Sequence, residues 1–207
     1  MITNTTAQDT LSTPSTLPPS PPAYQDNIVL EIVKKTKKNE PRVFPSLMLT
    51  DREAFEDCGQ SNTKFIMKEF WHSMNNKILV ARKRDTQAIV AYAIFSICDL
   101  KDNRFKGKRV NSCYLLRIAV RINSQRQGIG AKMMKYLLET YPEHALSLDV
   151  STDNEKAVRF YRKMGLKINQ LYLSQPDNVE FALFETPIGK NMKKVYLDDP
   201  EFEQKTI

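Results

Sequence analysis

The sequence has few of the residues that build metal sites and disulfide frameworks. It contains three cysteines and two histidines in 207 residues. Cys58, Cys98 and Cys113 lack the paired spacing of a zinc site, and neither His72 nor His144 has a partner at metal-ligand spacing. We therefore expect buried or inert thiols, a reducing compartment and no metal.

Long apolar stretches are missing as well. No segment approaches the roughly 20 apolar residues of a membrane span, and the N-terminus lacks the apolar core of a secretory signal peptide. No arginine precedes Arg42, which is unlike an organellar transit peptide. We expect no membrane partner and a cytoplasmic location, with the nucleus or an organelle as alternatives.

The beginning of the chain is poor in both charged and apolar residues. Its first 22 residues are rich in Thr, Ser and Pro, and Asp9 is their only charged residue. Such a composition cannot bury enough apolar surface to offset the entropy of ordering, so a disordered tail is expected over residues 1–26. With 41% hydrophobic residues overall, the chain can form one core. One domain is expected over 27–188, with a tail over 189–207.

Basic residues exceed acidic ones, but without a dense cluster. The formal net charge is +7, and the closest approach to a basic run is the segment 34–38, with four lysines and one threonine. An acidic ligand would suit this charge, although a solvated surface explains such an excess more often. Nucleic acid is therefore not an expected partner.

Glycine is also scarce, and two of the six glycines lie close together. Gly128 and Gly130 follow an apolar strand at 115–120 and open an amphipathic helix predicted over 129–140. Glycines permit close backbone approach, and the first N–H groups of a helix face an anion, so this pattern predicts a pyrophosphate-binding loop. It is neither a Walker A loop, which ends in Gly-Lys-Ser/Thr, nor a dinucleotide loop, because Met133 stands where the third glycine would be.

The rest of the chain predicts a mixed α/β fold. Polar residues 99–111 are expected to form a long exposed loop, either a solvated insertion or a substrate-binding segment. Alternation along 145–150 directs Asp149 away from Leu146 and Leu148, and Gly165 caps the helix before it. The remaining strands are predicted at 28–33, 77–81, 88–95, 114–120, 167–174 and 179–185, and the remaining helices at 47–58, 63–74 and 154–164.

Two sequence blocks resemble the GNAT superfamily of acetyl-CoA-dependent N-acetyltransferases. The first is Gln/Arg-x-x-Gly-x-Gly/Ala after a strand that ends in Ile-Ala-Val. The second is Leu-Ser-Leu-Asp-Val at 146–150, followed by Asn154-x-x-Ala157-x-x-Phe160-Tyr161. The chain is most similar to the RimI-like branch of protein N-terminal acetyltransferases, from about residue 27 to residue 185. The resemblance implies a GNAT fold, with a mixed, mostly antiparallel central sheet, splayed central strands and flanking helices.

The resemblance also implies a reaction. Acetyl-CoA would be the acyl donor, and a primary amine would attack it directly without a covalent enzyme intermediate. The leading acceptor is a protein N-terminal amine, followed by a lysine side chain or a small amine. A non-catalytic CoA-binding scaffold is the alternative from another class. The implied cofactor-binding residues are Ile118, Ala119, Val120, Gln125, Arg126, Gln127, Gly128, Ile129, Gly130, Ala131 and Asn154.

Two further residues are implied to be catalytic. In the RimI-like branch a carboxylate five positions before the helix asparagine deprotonates the amine, and here that position is Asp149. The branch usually has Glu, so the shorter Asp favours proton transfer through water. A structural carboxylate that bonds the loop at 151–153 is the alternative. Tyr161 would supply a proton to the leaving thiolate, with a core tyrosine as its alternative.

Overall fold

In the part of the chain that the structure describes, seven strands and four helices follow one another in the predicted α/β order. The computed structural model describes residues 27–55, 63–101, 109–174 and 178–186. The strands are β1 (Ile28–Ile32), β2 (Asn76–Lys83), β3 (Ile89–Lys101), β4 (Arg109–Val120), β5 (Ala145–Ser151), β6 (Lys167–Ser174) and β7 (Val179–Glu185). The helices are α1 (Glu40–Phe55), α2 (Thr63–His72), α3 (Ile129–Thr140) and α4 (Glu155–Lys163), and a 3₁₀ turn at Ile122–Ser124 follows β4. Within the described ranges, no helix is long and apolar enough to cross a membrane.

The strands form one sheet in the order β1-β2-β3-β4-β5-β7-β6. All neighbouring strands are antiparallel except β4 and β5, which are parallel. The chain returns from β4 to β5 through α3, because parallel neighbours need a crossover connection. The mostly antiparallel sheet implied by the family resemblance is confirmed.

Helices cover both faces of the sheet. Strand β2 shows why: Ile78 and Val80 face the cluster that includes α1 and α2, whereas Leu79 and Ala81 face the cluster that includes α3. A strand that is apolar on alternate residues of both faces needs a helical layer on each side. The helices supply Val43 and Leu47 from α1, Met67 and Trp71 from α2, and Ile129, Met133, Met134 and Leu137 from α3.

A β-bulge in β4 exchanges the faces of this strand. Ile94 of β3 pairs with Arg117, but Phe95 pairs with Leu115, so β4 has one extra residue, Leu116. Before the bulge Leu115 faces the α3 side, and after it Ile118 does so. Bulges re-aim side chains in this way. Arg117, the first residue after the bulge, therefore points its side chain toward α1.

Two predicted boundaries were wrong. Helix α1 begins at Glu40 rather than at Leu47, and Pro45 lies inside it. Val43 and Leu47 are both buried, and this packing outweighs the hydrogen bond that Pro45 cannot donate. The expected loop at 99–111 is strand at both ends, because Asp99 pairs with Asn111. Ladder hydrogen bonds use the backbone, so polar side chains do not prevent pairing.

The other predicted elements agree closely with the structure, and α3 agrees at both ends. Cys113 is buried, as expected. Cys58, the tails at 1–26 and 189–207, and residues 102–108 of the predicted loop lie outside the described residues. Their predicted properties stay predictions.

Candidate active site

A gap opens between β4 and β5. The two strands pair only from Ser112 to Tyr114, opposite Ala145 to Ser147, although β4 continues to Val120 along β3. The Arg121 N–H donates to the Val90 carbonyl at 2.9 Å. Because alternate residues of an antiparallel strand bond the same neighbour, the peptide groups of Ile118 and Val120 face the gap instead. The predicted splay of the central strands is thus present at the predicted residues.

Side-chain amides fix the loop that follows β4. The Gln125 Nε2 group donates to the Val120 carbonyl at 3.0 Å, and the Gln127 Nε2 group donates to the Asn123 carbonyl at 3.2 Å. Arg126 has a left-handed φ of 62°, which is uncommon for a residue other than glycine. Both glutamines therefore help to shape the loop, and the predicted cofactor contacts of this segment stay predictions.

The N-terminus of α3 meets the physical requirements of an anion site. Gly128 is the N-cap with φ 77°, and the first helical bond runs from the Lys132 N–H to the Gly128 carbonyl at 3.0 Å. The N–H groups of Ile129, Gly130 and Ala131 consequently have no intrahelical acceptor. No acidic residue lies in the first turn, so the positive end of the helix dipole is not neutralised there.

The two glycines of the loop differ in their surroundings. A Cβ atom added at Gly128 would meet nothing within 4 Å, so the space beside it is open. A Cβ at Gly130 would lie 3.4 Å from the Phe160 ring and 3.9 Å from Val120. Gly128 therefore borders the space available to a ligand, whereas Gly130 borders α4 and β4.

Asp149 on β5 lies near two tyrosines, Tyr114 of the adjacent strand β4 and Tyr172 of β6, which β7 separates from β5. The Tyr114 hydroxyl of β4 donates a hydrogen bond to Asp149 Oδ2. Burial, and after it the nearby Asp149 carboxylate, raises the pKa of Tyr172 on β6. In the loop at 151–153, the Asp153 N–H donates to Ser151 Oγ at 3.3 Å. The carboxylate therefore accepts a hydrogen bond from Tyr114 and lies near the Tyr172 phenol, and the described contacts of the loop do not include it.

Asn154 is the N-cap of α4. Its side-chain oxygen accepts from the Ala157 N–H at 3.1 Å, and the residue is exposed. The oxygen thus satisfies one of the helix's first donors. The predicted contact of Asn154 with cofactor amides stays a prediction, for which the side-chain amide nitrogen is the remaining polar atom.

Tyr161 of α4 is largely buried among aromatic rings. Its ring centroid lies 5.2 Å from that of Phe160 and 5.8 Å from that of Phe184. Burial raises the pKa of Tyr161 to about 12. No described residue forms a hydrogen bond with its hydroxyl. The phenol is therefore protonated at neutral pH, with its hydrogen available to a ligand.

A second group of charged residues, absent from the sequence predictions, joins α1 to β4. Arg117 bonds Asp51 and Arg121 bonds Glu53, each through two nitrogens. The Tyr92 hydroxyl also donates to Asp51, and burial together with this carboxylate raises the pKa of Tyr92. An arginine within the apolar stretch 115–120 was the available signal. Its partners are about 66 residues away, so no local spacing identified them.

The part of the chain that the structure describes contains no cluster of metal ligands. No group of three or more His, Cys, Asp or Glu side chains there could hold a metal ion. The polar groups at the gap are instead peptide groups, a carboxylate and phenols. Such groups bind and exchange protons.

Comparison with known proteins agrees with this geometry. No curated protein matches the chain. Arabidopsis thaliana NAA60 in complex with a bisubstrate analogue is 14% identical, with a TM-score of 0.57 over 77% of this chain and 98% of that chain. The Escherichia coli ribosomal-protein-S18-alanine N-acetyltransferase is 17% identical, with a TM-score of 0.55 over 78% and 94%. An Elizabethkingia anophelis GNAT family acetyltransferase with acetyl-CoA bound is 15% identical, with a TM-score of 0.56 over 78% and 99%. At these sequence identities, the likeness to the three solved structures shows the fold alone. Separately, a family model described as Acetyltransferase (GNAT) family matches residues 41–166 of this chain.

Proposed function

Because the chain belongs to the acetyltransferase (GNAT) family and is an acetyl-CoA-dependent acyltransferase, we propose that its acceptor is the N-terminal amine of a protein. One observation carries the proposed site: peptide groups, a helix N-terminus and the Asp149 carboxylate border one gap between β4 and β5. The acceptor class is supported by the fold that this chain shares with the ribosomal-protein-S18-alanine N-acetyltransferase of Escherichia coli.

The donor fits the residues around the gap. Acetyl-CoA supplies the thioester, and its pyrophosphate suits the N–H groups of Ile129, Gly130 and Ala131 at the start of α3. Gly128 leaves open space beside these donors. The peptide groups of Ile118 and Val120 would hold the amide-containing arm and orient the acyl group. Asn154 would bond the same arm through its amide nitrogen.

Deprotonation of the acceptor falls to Asp149. An amine that is protonated at neutral pH cannot attack a thioester, so it must first lose a proton. The Asp149 carboxylate, which accepts a hydrogen bond from Tyr114, would take this proton directly or through water. The same bond fixes the orientation of the carboxylate.

Tyr161 would supply the proton that the leaving thiolate needs. Its burial raises the pKa of the phenol to about 12, so the group holds its proton throughout the physiological range. A donor that remains protonated can stabilise a thiolate by a hydrogen bond and transfer the proton as the thiol leaves.

Acetyl-CoA turnover against a panel of acceptors tests this proposal. The panel contains peptides with free N-termini and no lysine, peptides with a blocked N-terminus and one lysine, and polyamines. Preferred turnover of the free N-termini is the expected result. Preference for the lysine peptides or the polyamines would replace the proposed acceptor. Binding of acetyl-CoA with no turnover on any of them would favour the non-catalytic scaffold.

A further inference from the structure

The last part of β4 has a neighbouring strand on one side only. Past Tyr114 it continues beside β3 to Val120, while β5 diverges from it. A strand end with one partner is held less firmly than a central strand, because half of its peptide groups lack ladder bonds. Those groups include the ones of Ile118 and Val120, which face the gap. Whatever restrains this end also sets the geometry of the gap.

Helix α1 contacts this strand end through a buried ion pair. Asp51 is fully buried, and Arg117 bonds it with Nε at 2.5 Å and with a terminal nitrogen at 3.1 Å. The ring of Phe55 lies 4.1 Å from the Arg117 guanidinium carbon. Desolvation makes a buried pair a poor stabiliser compared with apolar packing, but its directional bonds fix one arrangement. Asp51 therefore anchors α1 at one position along β4.

A second ion pair involves Arg121, which directly follows the gap-facing peptide groups of Ile118 and Val120. Arg121 bonds Glu53 with a terminal nitrogen at 2.7 Å and with Nε at 3.1 Å. The hydrogen bond to Arg121 lowers the pKa of Glu53, so the pair is ionised near neutral pH. Both side chains are partly exposed, so the pair adds little to overall stability. Arg117 and Arg121 thus flank the backbone of Ile118 to Val120.

We propose that Glu53 is a positioning residue that, through Arg121, holds the one-sided end of β4 in the geometry that binds and orients the acyl donor. The inner pair of Asp51 and Arg117 is the fixed point, and the outer pair sets the direction of the strand beyond it. This inference rests on the proposed donor site at Ile118 and Val120. Small displacements of positioning groups can reduce turnover strongly, even where stability is preserved.

The variant Glu53→Gln tests the inference, with Glu31→Gln as its matched control. Glu31 forms a partly exposed pair with Arg82 at 3.1 Å, which joins β1 to β2 away from the gap. Calorimetry with acetyl-CoA, turnover and thermal melting are measured for both. We expect about fivefold or greater loss in acetyl-CoA affinity or in kcat for Glu53→Gln alone, a typical lower value for coupling between separate groups. The melting temperatures of the two variants should be similar.

A charge-swapped protein provides a rescue. Combining Glu53→Arg with Arg121→Glu restores an ion pair of opposite orientation, and should recover most of the affinity or kcat lost in Glu53→Gln. Equal donor affinity and kcat in Glu53→Gln and Glu31→Gln would overturn the inference, as would a lower melting temperature without a kinetic change. If Gly128→Val abolishes donor binding while Glu53→Gln changes neither acetyl-CoA affinity nor kcat, the donor site is supported and only the positioning role of Glu53 fails. If Gly128→Val leaves donor binding unchanged and Glu53→Gln alters neither donor affinity nor kcat, both fail.

Discussion

Tyr114 and Asp149 are joined by a hydrogen bond across the point where β4 and β5 separate. Tyr114 belongs to the last residue pair between the two strands, and the carboxylate lies two positions beyond its partner Ser147. The bond therefore places a charged group at the closed end of the gap. Family resemblance had assigned Asp149 by sequence position alone. The contact gives a physical reason why an aspartate, although shorter than the usual glutamate, is held at a defined place.

If Asp149 is the base, the Asp149→Asn variant should lose turnover to an extent that depends on pH. Turnover should fall by about 10²-fold, and most at low pH, where the acceptor amine is mostly protonated. Asp149→Glu should retain activity because it keeps a carboxylate at this position. The measurement is kcat/KM against pH, with Asp153→Asn, an exposed site near the end of β5, as the control. A lower melting temperature for Asp149→Asn, with turnover per folded molecule intact, would instead indicate a structural carboxylate.

The phosphate loop predicts a selective loss of donor binding in Gly128→Val. The space beside Gly128 is open, so the new side chain would occupy the volume assigned to phosphate oxygens. Its φ of 77° also strains any residue other than glycine, at a cost of about 1–2 kcal/mol. Calorimetry should show that acetyl-CoA affinity collapses while the fold survives.

Gly165→Val separates these two effects. Gly165 has φ 85° and open space around its Cβ position, but it follows α4 rather than β4. Both variants should lose similar stability, and only Gly128→Val should lose donor binding. Parent-like binding by Gly128→Val would show that the phosphate-loop assignment is wrong.

The sequence predicted α3 and its loop well because the signals there are local. Apolar spacing defines the buried face of α3, and a glycine takes the left-handed N-cap. The start of α1 was missed because tertiary burial of Val43 and Leu47 decides it, against an internal Pro45. The ends of the 99–111 segment were missed because backbone pairing to a distant strand is independent of polar side chains.

The charged contacts around the gap could not be predicted in the same way. Asp51 and Arg117 are 66 positions apart, and Tyr114 and Asp149 are 35 apart. Only the fold brings such residues together, and a bulge at Leu116 directs Arg117 to the α1 side. The residues of the candidate site were chosen from the sequence, whereas their hydrogen-bond partners required the structure.

Tyr161→Phe tests the acid role with the smallest possible change. The hydroxyl bonds no described residue, so its removal should alter stability and donor affinity little, whereas kcat should fall by about 10²-fold or more. Tyr136→Phe, at a partly buried tyrosine of α3, is the control. Unchanged turnover in Tyr161→Phe would mean that Tyr161 is a core residue without a catalytic role.

The raised pKa of Tyr161 also predicts a loss of stability in alkali. Burial raises the pKa from 10.0 to about 12 in the folded protein, so the folded state binds this proton more tightly than the unfolded state. The resulting stabilisation is fully present below pH 10 and is lost as pH rises from 10 toward 12. By pH 11 it should have decreased by about 1 kcal/mol. Denaturant unfolding at pH 9 and pH 11 measures this change, which should be smaller in Tyr161→Phe by that amount, because Phe has no proton to lose. Equal losses in the two proteins would mean that the Tyr161 hydroxyl is solvated in the folded state, and would weaken its assignment as a protonated donor held within the site.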